Sequence, residues 1–288
     1  MRLGIFFAVM VVAISPALRS QGVPKAIYTD PPADRAHPAR MEVLHIPSHG
    51  LSINGVMYAP ASAGPHPTIV ICHGLPGNEK NLDLAQAVRR AGWNAVTFNY
   101  RGSWGSPGSY RFAQNLEDAV AVLAYLREAA NAKKLGVDTK KIVLAGHSMG
   151  GWVTALTAAH EHDLAGAILI SAADMGQAGK MPHDKLVARE ANNMEALAGV
   201  TAASMADELS RNAKTWEFAN AVDGLKDLPL LVLSADDGLA PQTDALVSAI
   251  QAKGGHNVKA VHQATDHGWS DHRIFLESAV IEWLGTLK

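Results

Sequence analysis

The chain has 288 residues, of which 48% are hydrophobic and 18% charged, and its formal net charge is −2. That composition builds one large packed domain, or one domain with an inserted cap, and argues against a disordered chain. The near-neutral charge speaks against a nucleic-acid binder, and the single cysteine, Cys72, rules out an intrachain disulfide.

Arg2 is followed by an apolar run from Leu3 to Ile14 and then by Ser15, Pro16 and Ala17. A membrane-crossing helix needs about 20 apolar residues, so this run is too short to span a bilayer. It reads as a signal peptide over residues 1–20, with cleavage near Ser20. The mature protein is therefore expected in the periplasm or outside the cell, with no stable membrane span. Residues 21–40, rich in Pro, Ala and Asp, read as an extended lead-in.

A hairpin is expected next, with strands at Met41 to Pro47 and Leu51 to Ala59 around the turn Ser48-His49-Gly50. Beyond Pro67 the pattern changes. Thr68 to Cys72 is a continuous apolar run, as in a strand buried on both faces. Helical spacing follows from Asn81 to Ala91, a strand from Asn94 to Phe98, and a helix from Leu116 to Ala130 with Asn115 as N-cap. Strands at Ile142 to Ala145, Ala167 to Ile170, Leu230 to Leu233 and Val258 to Gln263 alternate with helices at Met149 to His160, Asp244 to Lys253 and Asp271 to Leu287. The alternation predicts an α/β domain over residues 41–288, with a mostly parallel sheet flanked by helices and the hairpin as an antiparallel edge. Residues 173–227 contain no clear strand. They hold Met175, Met181, Met194 and Met205, and are expected to form a small helical cap over the carboxyl edge of the sheet.

The strongest local signal is Gly146-His147-Ser148-Met149-Gly150, which follows the strand KIVLAG and opens a helix. A G-x-S-x-G between strand and helix is a nucleophile elbow, a sharp turn that presents the serine hydroxyl. A hydroxyl needs a base to become a good nucleophile. His267, in the segment TDHGW after the last strand, is the favoured base, and His272 is the alternative. The orienting acid should lie in SADDGLAP after the penultimate strand. Asp237, four residues before Pro241, is favoured over Asp236. The developing oxyanion needs donors, assigned to the backbone N–H groups of Met149 and of Leu75 in the loop HGLPGN. His73 is read as bracing that loop. Trp104, in YRGSWGSPG, is a candidate wall of the substrate pocket, and Arg101 braces its neighbours. The thirteen histidines form no cluster with metal-ligand spacing, so no metal and no cofactor are expected.

With HGLPGN, YRGSWGSPG, GHSMGG, SADDGLAP and TDHGW in this order, the chain resembles the α/β-hydrolase superfamily from Met41 to the C-terminus. Within it the chain is similar to bacterial exported hydrolases grouped with prolyl-oligopeptidase-like and serine-aminopeptidase-like domains. The resemblance implies a Ser148–Asp237–His267 triad and no cofactor. It leaves the substrate open, because this fold hosts many acyl-transfer activities. Hydrolysis of a small or medium carboxylic ester is the leading expectation. An aminopeptidase-like activity on short peptides comes second, and an acyltransferase or a non-catalytic binding protein is further off. No feature of the sequence bears on oligomeric state.

Overall fold

The computed structural model describes residues 22–287. The signal-peptide reading of residues 1–20 lies outside the described residues. The lead-in is not extended throughout, because Lys25–Tyr28 form a short helix, α1. Arg90 fastens it to the domain by donating to the carbonyls of Ala26 and Ile27.

The hairpin follows as β1 (Arg40–Ser48) and β2 (Leu51–Ala59), turning at His49 and Gly50, both with positive φ. Then come β3 (His66–Cys72), α2 (Leu82–Arg90), β4 (Asn94–Phe98), α3 (Phe112–Arg127), α4 (Ala129–Leu135), β5 (Val137–His147), α5 (Met149–Ala158) and β6 (Gly166–Ile170). The segment before the next strand carries α6 (Met175–Ala178), α7 (His183–Ala191), α8 (Ala202–Asn212), a 3-10 turn at Phe218–Ala221 and α9 (Val222–Leu225). The chain closes with β7 (Leu230–Ala235), α10 (Ala240–Ala252), β8 (Val258–Gln263) and α11 (Arg273–Leu284).

The strands form one eight-stranded sheet in the order β1-β2-β4-β3-β5-β6-β7-β8. The β1–β2 and β2–β4 pairs are antiparallel, and every later pair is parallel. Alternate residues of the inner strands feed two separate cores. Val70, Cys72, Ile142 and Leu144 pack on the face covered by α3, α5 and the cap helices. Ile69, Ile71, Val143 and Ala145 pack on the face covered by α2 and α11. Burial on both faces is why these strands read as apolar runs without alternation.

Several helix boundaries differ from the sequence reading. Asn115 is not an N-cap but a fully buried residue inside α3, donating to Tyr110 Oη. The helix starts at Phe112 because the Glu208 carboxylate, arriving from α8, accepts from the N–H groups of Phe112 and Ala113. The expected run to Ala130 is interrupted at Glu128, whose extended backbone ends α3 and whose side chain caps α4 through Ala130 and Asn131. Similarly, α10 begins at Ala240, four residues early, because Pro241 fits the first turn of a helix.

Candidate active site

Ser148 stands alone between the end of β5 and the start of α5. Its φ of 58° and ψ of −123° lie where non-glycine residues are rarely found. The flanking glycines make the turn possible. A Cβ on Gly146 would overlap the Gly150 carbonyl, one on Gly150 the Cys72 carbonyl, and one on Gly151 the Ala172 side chain. Main-chain bonds hold the strained residue from both sides. Its N–H donates to Ile170 at 3.0 Å, and its carbonyl accepts from Gly151 and Ala173 at 3.0 Å each.

The two late loops bring an acid and a base to the same edge of the sheet. Asp237 follows β7 and His267 follows β8, at the carboxyl ends of parallel strands. Their side chains meet, with His267 Nδ1 2.8 Å from Asp237 Oδ2. Burial opposes charge on Asp237, but hydrogen bonds from His267, the Leu239 N–H and the Ser171 hydroxyl outweigh it and hold the carboxyl below its ordinary value. The neighbouring Asp236 faces elsewhere and binds His262 at 2.9 Å. His272, the alternative base, lies beside Asp271 at the head of α11.

His267 reaches the elbow through the residue before the nucleophile. The His147 and His267 rings lie 4.7 Å apart, and His147 Nε2 is 2.8 Å from the His267 carbonyl oxygen. With Nδ1 held by Asp237, the ring nitrogen left for Ser148 is Nε2. Ser148 Oγ makes no protein hydrogen bond among the described residues. Catalytic hydrogen bonds are often long in substrate-free sites and tighten on binding.

Leu75, Ser148 and Met149 line one cavity of about 310 Å³, together with Met175, Arg189 and Asn193 from the cap segment. Met149 heads α5, where the first N–H groups have no intrahelical acceptor. Leu75 lies in the loop after β3. That loop is braced throughout: His73 Nδ1 donates to the Gly74 carbonyl at 2.8 Å, Tyr100 Oη to that of His73 at 3.2 Å, and Trp104 Nε1 to that of Pro76 at 2.6 Å. Burial pushes the His73 imidazole down to about 4 and the Cys72 thiol up to about 12, so neither is charged near neutral pH.

The structure puts Trp104 outside the lining of that cavity. Its indole supports the Leu75 loop and carries Lys80 Nζ 4.2 Å from the ring centroid. Arg101 binds the buried Asp118 at 2.6 Å and also pairs with Glu117, fastening its loop to α3. Three site residues went unnoticed in the sequence. They are His147, Arg189 and Ser171, which accepts the Trp269 indole N–H at 3.0 Å. Only His147 carried a local signal, its place inside the elbow motif. Among the described residues, no group of three or more His, Cys, Asp or Glu side chains could hold a metal ion.

The family described as serine aminopeptidase, S33, matches residues 63–229, more than half of the chain. The chain belongs to this family. Solved structures with the same fold include an esterase from Pyrobaculum calidifontis, 22% identical, with 86% of each chain covered and a TM-score of 0.64. Another is the acylaminoacyl peptidase of Pyrococcus horikoshii, 16% identical with a TM-score of 0.67, where 86% of this chain covers 42% of that one. A third is Est1E from Butyrivibrio proteoclasticus bound to ferulic acid, 23% identical, covering 85% of this chain and 98% of that one, with a TM-score of 0.63. No curated protein matches the sequence. This S33 family member is thus an α/β-hydrolase, with an antiparallel start to a mostly parallel sheet. Among its described residues no helix is long and apolar enough to cross a membrane.

Proposed function

We propose that this protein hydrolyses a small or medium carboxylic ester through an acyl-enzyme on Ser148. The observation that carries the reading is the Asp237–His267 pair, joined at 2.8 Å and docked through His147 onto a strained serine. His267 takes the Ser148 proton as Oγ attacks the carbonyl carbon. Asp237 keeps the proton of the ring on Nδ1 and stabilises the imidazolium that forms. The Met149 and Leu75 N–H groups receive the oxyanion. His267 then protonates the leaving alcohol, and a water molecule, deprotonated by the same ring, releases the acid.

Amide hydrolysis by the same residues is the second reading, and membership of the serine aminopeptidase family supports it. The cap carboxylates that could anchor a peptide amino terminus do not favour it. Glu190 is fully buried and outside the lining of the Ser148 cavity, and Glu195 accepts from Asn78 at 3.4 Å. An ester also has the better leaving group.

Nitrophenyl esters of increasing acyl length, assayed beside aminoacyl nitroanilides, test this order. Ester turnover and fluorophosphonate labelling of Ser148 are expected. Turnover of the anilides alone would reverse the substrate assignment, and an unlabelled Ser148 would remove the mechanism. Export belongs to the same reading and rests on the apolar run after Arg2. An intact Met1 on protein recovered from the producing cells would refute it.

A further inference from the structure

The Ser148 cavity contains one charged side chain. Of its eight lining residues, Leu75, Met149, Ala173 and Met175 are apolar, and the polar remainder consists of Ser148, Asn192, Asn193 and Arg189. Arg189 stands in the last turn of α7, where the helix dipole alone favours a cation. That accounts for a basic residue on this helix but not for its place in the lining of the cavity that also holds Ser148.

The guanidinium is also short of partners. Its nearest carboxylate oxygen is on Glu190, 3.7 Å from Nε, too far for a hydrogen bond. Arg189 donates no side-chain hydrogen bond among the described residues. Five N–H donors in a planar fork therefore remain for something else. Burial raises the Glu190 carboxyl above its ordinary value against the opposing pull of the Arg189 charge, and at 3.7 Å the pair leaves the guanidinium N–H donors without a hydrogen bond. Arg189 is about one-third exposed, so a ligand entering the cavity can reach it.

We propose that Arg189 is a specificity-determining residue that binds a carboxylate carried by the substrate in addition to its scissile carbonyl. The inference rests on the serine-hydrolase reading above and names its substrate class: a short half-ester of a dicarboxylic acid, or an ester whose alcohol part carries a carboxylate. A fork of parallel N–H donors matches the two oxygens of a carboxylate. A cavity of about 310 Å³ limits the group between carboxylate and carbonyl to a few carbons. The Asn192 and Asn193 side chains add polar atoms beside it, while their amide nitrogens donate to the Ala188 and Arg189 carbonyls.

The test compares charged and uncharged partners of equal shape. One pair is mono-p-nitrophenyl succinate and its methyl ester. The other is 4-acetoxybenzoate and its methyl ester. The wild-type protein should favour at least one anion over its neutral partner, and Arg189→Gln should reduce kcat/KM for that anion by about tenfold to a hundredfold, chiefly through KM. Turnover of the neutral esters should fall far less than that of the anion in this variant, and fluorophosphonate labelling of its Ser148 shows that it folds. Arg189→Lys, keeping charge without the fork, should recover part of the preference. If the wild type cleaves neutral and anionic partners equally, or Arg189→Gln keeps the preference, the inference is wrong while the serine-hydrolase reading stands. If the wild type cleaves none of the four and Ser148 resists fluorophosphonate, both are wrong.

Discussion

His147 Nε2 lies 2.8 Å from the main-chain carbonyl oxygen of His267, and the two imidazole rings pack with centroids 4.7 Å apart. A carbonyl can only accept, so Nε2 carries the proton and the buried, unpartnered Nδ1 is bare. Burial, reinforced by repulsion from His267, pushes this imidazole down to about 4. His147 thus stays neutral beside the ring that the proposed mechanism charges. It ties the base-bearing loop after β8 to the elbow after β5.

Removing that tie should misplace the base without removing any reacting group. His147→Ala is expected to lower kcat by roughly tenfold to a hundredfold with little change in KM, since small errors of position are costly in catalysis. His147→Gln, which can still donate to the carbonyl, should recover much of the loss. Steady-state kinetics on a nitrophenyl ester decide it, and equal rates for the two variants would show that the donor has no positioning role.

The neighbouring aspartates separate function from surface. Asp237→Asn removes the charge that orients His267 and should reduce kcat by about 10⁴-fold. Asp236→Asn touches only a pair with half-exposed His262 and should leave activity within about twofold. A reversed ranking would move the acid to Asp236.

Glycine is required at the elbow on steric grounds. Gly146→Ala and Gly150→Ala each drive a methyl group into a backbone carbonyl, which flexible side chains cannot relieve. Each substitution should cost about 3 kcal/mol or more in urea unfolding. Near-native stability in either variant would mean that the elbow is looser than this geometry.

Acid should weaken the fold through two buried histidines. His73 and His147 have folded values of about 4, below the ordinary 6.5. The unfolded chain therefore binds more protons between these limits, so the stabilisation is complete above pH 6.5 and declines as the pH falls towards 4. The effect reaches up to roughly 3 kcal/mol per histidine. Denaturant unfolding across that range measures the slope. His147→Gln should flatten it, and an unchanged slope in that variant would mean that His147 is not held neutral by the fold.

Asp118 is fully buried and accepts from Ser48 Oγ, the Arg101 N–H and Arg101 Nε. Asp118→Ala leaves Arg101 with only the half-exposed Glu117 as a carboxylate partner, removes the acceptor of Ser48 Oγ and the Arg101 N–H, and should destabilise the protein by about 3 kcal/mol. Calorimetric melting checks it, and an unaltered melting temperature would show that Arg101 finds water instead.

Much of this architecture was legible in one dimension because its causes are local. Apolar runs mark β3, β5, β6 and β7, since burial on both faces leaves no room for polar alternation. Ser148 is visible because a strained turn demands glycine two residues to either side. Asp237 and His267 could be assigned candidate roles because each follows a recognisable strand. What stayed hidden depends on residues that meet across long separations. Glu208 supplies the first-turn acceptor of α3 from about 95 residues away, so no local rule finds that helix start. Trp104 looked like a pocket wall from its place in a loop, but its indole turns to the Pro76 carbonyl.

The amino-acid order alone determined the alternation of strands and helices, the elbow, and the loops that hold candidate acids and bases. Those features follow from periodicity and from what a turn allows its own residues. Tertiary structure decided that Asp237 pairs with His267 while Asp236 pairs with His262, that His147 anchors the loop after β8, and that Arg189 from the cap lines the same cavity as Ser148. Side-chain direction and cross-chain distance exist only once the sheet has closed and the cap has packed upon it.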